Sequence, residues 1–78
     1  MKAPTEKLVV TFPTTTAAIA METLCAERGV AGRLIPVPRE ITAGCGMAFC
    51  APPAERARIE EAAASHGVEL SGMYTLLL

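Results

Sequence analysis

Two glycine–valine pairs, Gly29-Val30 and Gly67-Val68, stand thirty-eight positions apart in this chain. Each follows a stretch with apolar residues at helical spacing and precedes a run that reads as a strand. A glycine just past such a stretch readily takes the left-handed conformation in which many helices end. At the same offset Met21, Leu24 and Cys25 fall on Ile59, Ala62 and Ala63, so comparable helix faces coincide. Strand, helix, glycine and strand, stated twice in succession, leave few arrangements open.

The punctuation between these marks agrees with that reading. "KLVVTF", Lys7 to Phe12, is rich in β-branched and aromatic residues, ends at Pro13, and predicts a buried strand. Thr14 or Thr15 offers a hydroxyl N-cap for a helix running to about Arg28, whose charge suits the negative end of the helix dipole. "GRLIPV" predicts a second strand. Pro36 and Pro38 lack an N–H, so its later part belongs at a sheet edge or outside the ladder. "GMAFCA" predicts a third strand, cut off by Pro52-Pro53, which opens a helix over "AERARIEEAAASH" with proline in its first turn. "ELSGMYTLLL" is the closing strand. Two βαβ units in so short a chain imply an α+β, ferredoxin-like split-βαβ sandwich, with two helices on one face of a four-stranded antiparallel sheet. The expectation is a single domain over 1–78, its first six residues a flexible lead. The other sheet face is expected to be uncovered, and the apolar "MYTLLL" end then offers a homodimer surface.

Only three residues are aromatic, Phe12, Phe49 and Tyr74, so the core is built from aliphatic side chains. Small residues such as Ala17, Ala18, Ala62 and Ala63 let a helix lie close on a sheet. Seven basic and eight acidic residues give a net charge of −1, with no Asp. That balance provides no basic stripe for nucleic acid and no cage of paired carboxylates for a metal. The apolar run in "MKAPTEKLVVTFP" is broken by Glu6 and Lys7, unlike a signal peptide. No stretch approaches the roughly 18 apolar residues of a membrane span. Three cysteines, an odd number without a secretion signal, point to free thiols in a reducing, cytoplasmic setting.

The cysteines differ in context. Cys25 lies on the apolar helix stripe and reads as core, where a thiol behaves as a small hydrophobe. Cys50 reads as a packed strand residue. A Cys45–Cys50 disulfide is disfavoured, because five strand residues span about 16 Å and an odd separation points the side chains apart, whereas a disulfide holds Cα atoms within roughly 7 Å. Cys45 itself lies between Gly44 and Gly46, without bulky neighbours. Those glycines permit unusual backbone conformations and can present N–H groups to a thiolate or a bound anion. Arg39 is close in sequence and favours a thiolate, with Glu40 opposing it. From the residues alone, Cys45 reads equally well as a reactive thiol and as a small residue in a tight loop. The only histidine, His66, is explained by its place at a helix C-terminus. A Cys45–His66 nucleophile and base would lack an orienting acid. No cofactor motif, phosphate loop or metal-ligand spacing is present in the sequence.

The segment "LIPVPREITAGCG" resembles one typical of a family of small bacterial proteins described as selenium or sulfur carriers. Leu34, Ile35, Pro36, Pro38, Arg39, Glu40, Ile41, Thr42, Cys45 and Gly46 stand in its pattern, after a strand ending in "TF" and a Thr-rich helix start. Cys50 is not part of that pattern. The resemblance implies a carrier rather than a stand-alone enzyme, holding a persulfide or selenopersulfide on Cys45. Gly44, Gly46 and Arg39 would support that thiol, with no cofactor. The implied partners are a donor of the cysteine desulfurase or selenocysteine lyase kind and an acceptor, with neither nucleic acid nor membrane involved. The alternative reading is a non-catalytic ferredoxin-like interaction or dimerisation module in which no thiol is essential.

Overall fold

The computed structural model describes residues 5–41 and 46–77. Its elements are β1 (Glu6–Thr11), α1 (Thr15–Arg28), β2 (Arg33–Pro36), β3 (Met47–Ala51), a 3-10 turn (Pro53–Glu55), α2 (Arg56–His66) and β4 (Gly72–Leu77). The strands form one sheet in the order β2-β3-β1-β4, every neighbouring pair antiparallel. This is the expected α+β, ferredoxin-like arrangement.

Local chemistry places the boundaries. Thr14 is extended and its Oγ1 accepts the Ala17 N–H at 3.1 Å, capping α1. At the other end Gly29 is left-handed, with φ 71°. The Gly29 N–H donates to the Ala26 carbonyl and the Val30 N–H to the Cys25 carbonyl, the paired bonds of a Schellman ending. Gly67, with φ 66°, is left-handed as well, and its N–H and that of Val68, the latter at 2.9 Å, both donate to the Ala63 carbonyl. The repeated glycine–valine pair thus has a physical cause. Glycine turns the chain, and the valine after it packs back against the helical layer.

The sheet presents two different faces. Leu8 and Val10 of β1 and Phe49 and Ala51 of β3 point toward the helices. There they meet Met21 and Cys25 of α1 and Ile59 and Ala63 of α2 in one buried cluster with Phe12. Both helices therefore cover the same face. A polar clasp ties them together at the α1 C-terminus. Arg58 Nη2 donates to the Arg28 carbonyl at 2.9 Å, and Glu55 Oε2 accepts the Ala31 N–H at 2.8 Å. Glu55 also pairs with Arg58 at 3.2 Å.

The opposite face, which the sequence led us to expect uncovered, is covered in part. Val9, Thr11 and Ala48 on it are fully buried. The chain leaving β2 turns back over this face and sets Ile41 on Val9 and Ala48, with Ile35, Val37 and Leu76 packed around them. Val37 and Ile41, both beyond the end of β2, close this part of the face.

Smaller corrections concern boundaries. β2 and β4 are shorter than expected, and α2 is entered through the 3-10 turn, with Pro53 at its start. Residues 1–4 of the expected flexible lead lie outside the described residues. Glu6, the last of that lead, already pairs with Leu77 in the sheet.

Candidate functional site

The segment after β2 carries the residues singled out in the sequence. Pro36 ends the strand and Val37 donates its N–H to the Gly46 carbonyl at 3.1 Å. The excursion between β2 and β3 is therefore pinched shut at its base. Within it the Ile41 N–H donates to the Pro38 carbonyl at 3.0 Å, forming a tight turn with Arg39 and Glu40 exposed at its tip. Ile41, only 6% exposed, anchors the turn to the sheet.

Gly46 stands at the return, exposed, with φ 93°. That conformation suits glycine, and open space surrounds the place where a Cβ would sit. Gly44 and Cys45 lie outside the described residues, as do Thr42 and Ala43. The described residues thus form the frame on either side of Cys45. Ile41 anchors one end, and at the other the residue next to Cys45 is bonded to Val37. Arg39 makes no ion pair among the described residues.

The other two cysteines are free thiols in contrasting surroundings. Cys25 is core, as expected. It is 1% exposed, and its Sγ donates to Met21 Sδ at 3.5 Å. Burial pushes its pKa up, Glu55 adds to the rise, and Arg58 and Arg28 oppose it. A thiol held in its neutral form in this way is a poor nucleophile. Cys50 is a β3 residue, as expected, but it is only half-buried and points to the face away from the helices. It lines an open pocket of about 300 Å³ together with Lys7 and Arg33. That exposure was not legible in the sequence, where Phe49-Cys50-Ala51 reads as one packed run.

His66 belongs to the helical layer, with its Nδ1 3.5 Å from Arg28 Nη2. Among the described residues no three His, Cys or Glu side chains gather as metal ligands. None of the described helices is long and apolar enough to cross a membrane.

No curated protein and no solved structure matches the chain. A family model does, the one described as "Putative Se/S carrier protein-like", over residues 7–75. That match runs from β1 to β4 and includes the excursion that carries Arg39, Cys45 and Gly46. On that coverage the chain belongs to this Se/S carrier protein-like family.

Proposed function

We propose that the chain carries sulfur or selenium at the zero-valent level on Cys45, receiving it from a donor enzyme and passing it to an acceptor. The observation that carries this reading is the family match over residues 7–75. Two features support it. Cys25 is buried and held neutral, so it is unsuited to exchange. The frame around Cys45 also combines a pinched base with a glycine next to the thiol and an exposed arginine in the same excursion. Access together with thiolate fraction governs sulfur exchange, and the described neighbours of Cys45 in that excursion, Arg39 and Gly46, are exposed.

The transfer needs no bound cofactor. The Cys45 thiolate attacks the terminal sulfur of a donor persulfide, R–S–SH. A new S–S bond forms on Cys45, the donor S–S bond breaks, and the donor thiolate leaves with the electron pair. The acceptor repeats the step in reverse on Cys45–S–SH. A selenopersulfide follows the same course with selenium as the terminal atom. Cysteine desulfurases and selenocysteine lyases are the donor classes whose product has this form, and a reducing cytoplasm is the setting that keeps Cys45 free for loading.

Incubation with a cysteine desulfurase and cysteine, followed by intact mass, tests this. An adduct of about 32 Da, removed by a thiol reductant, is the expected result for a reversible persulfide, with about 80 Da for selenium. A protein that stays at its unmodified mass while the desulfurase turns over would overturn the proposal.

A further inference from the structure

β3 places Cys50 on the sheet face away from the helices, directly between Val9 of β1 and Arg33 of β2. Lys7 lies two residues before Val9, and so on the same face. Lys7, Arg33 and Cys50 line one open pocket with Gly32, Ala51 and Pro52. Its volume, about 300 Å³, is at the low end of sites that take small molecules.

The charge in this pocket has one sign. Lys7 and Arg33 make no ion pair among the described residues. The strand positions sharing their face are Val9, Thr11, Ile35, Ala48, Cys50, Gly72, Tyr74 and Leu76, none of them acidic. Two uncompensated cations beside a concave surface raise the local concentration of small anions. The same surface offers a free, half-buried sulfur. Partly exposed thiols in electropositive surroundings are the ones that exchange with disulfides.

We propose that this pocket is a thiolation site, in which Lys7 and Arg33 hold a small anionic disulfide and Cys50 forms a mixed disulfide with half of it. The Cys50 thiolate attacks one sulfur of R–S–S–R, having given its proton to solvent. The Cys50–S–S–R bond forms as the original S–S bond breaks, and R–S⁻ leaves with the electron pair. Cys50 sulfur is oxidised and the departing sulfur reduced, so the disulfide is the only co-reactant. The site uses neither Cys45 nor sulfur loading, and it stands apart from the carrier function.

The test uses the full chain with Cys45→Ser, leaving Cys50 and the buried Cys25. Its rate of labelling by dithiobis-nitrobenzoate, a dianion at neutral pH, is compared with that by uncharged dithiodipyridine, and the labelled residue is mapped by mass. The expected outcome is labelling at Cys50. Adding Lys7→Gln and Arg33→Gln should lower the dianion-to-neutral rate ratio about tenfold, and high salt should do the same to the parent. The neutral reagent controls for exposure, since its rate should stay the same in all variants. Where the double variant loses its folded circular dichroism, the single variants replace it, and each should lose part of the preference. A ratio unchanged by the substitutions, or a label on Cys25, would overturn the proposal.

Discussion

The Cys25 thiol, packed 3.5 Å from Met21 Sδ, contributes to stability in a pH-dependent way. Its pKa is raised on folding from the ordinary 9.0, chiefly by burial. A raised folded-state value means that the folded chain holds this proton more tightly than the unfolded one. The stabilisation is then complete below pH 9.0 and is lost as pH rises through the higher folded value. Urea unfolding at rising alkaline pH should show this loss, and Cys25→Ala should flatten it; an equally steep fall in the variant would assign it elsewhere. Gly46 is a second residue-scale case. Its φ of 93° with open surroundings makes the cost of a Cβ one of backbone strain alone. Gly46→Ala should lose about 1 kcal/mol of unfolding free energy, the usual scale for forcing an L-residue into positive φ. Unchanged stability would show that the return into β3 does not require this conformation.

At the scale of elements, the excursion after β2 is where an account of the fold is most exposed to test. Ile41 closes the face that carries Val9 and Ala48. Ile41→Ala should therefore cost about 2–5 kcal/mol by denaturant unfolding, as for other large-to-small changes in a core. It should also speed hydrogen exchange at the Val37 amide, which is bonded to Gly46. A loss below 1 kcal/mol, outside that range, would mean the excursion is not anchored there. The clasp offers a second test at this scale. Arg58→Ala removes both the bond to the Arg28 carbonyl and the pairing with Glu55. Because Arg58 is itself exposed, the expected loss is only about 0.5–1 kcal/mol.

These two features also mark where the sequence stopped being legible. Strands and helices announced themselves through Pro13, Gly29, Pro52 and Gly67, because local conformational preference sets those boundaries. Ile41 has no periodic apolar partner, and its burial depends on how a turn at Pro38 aims the chain across the sheet. Arg58 and Arg28 meet only after α2 has docked on α1. Cys45 drew attention for its flanking glycines and the pattern around it. The pocket at Cys50 needs three strands to assemble before Lys7 and Arg33 come together, and nothing local to Cys50 signals it.

For the molecule as a whole, stability comes from one apolar layer between the helices and sheet and a smaller one under Ile41. Cys25 and Cys50 are free, so no disulfide between them staples the fold. A thiol reductant should leave the melting temperature unchanged, whereas loss of a structural disulfide commonly removes about 2–5 kcal/mol. A large drop would expose a covalent link that the fold does not predict. Of the three cysteines, one is sealed in the core, a second lies beside a cationic pocket, and the third belongs to the excursion between β2 and β3. The claim that joins sequence, fold and family is that sulfur or selenium is loaded on the third. Its most direct test is to load Cys25→Ala, Cys45→Ser and Cys50→Ser chains side by side with a cysteine desulfurase and cysteine, and read the persulfide adduct by intact mass. Loading in the first and last with none in Cys45→Ser is the expected result; an undiminished adduct on the Cys45→Ser chain would contradict the account.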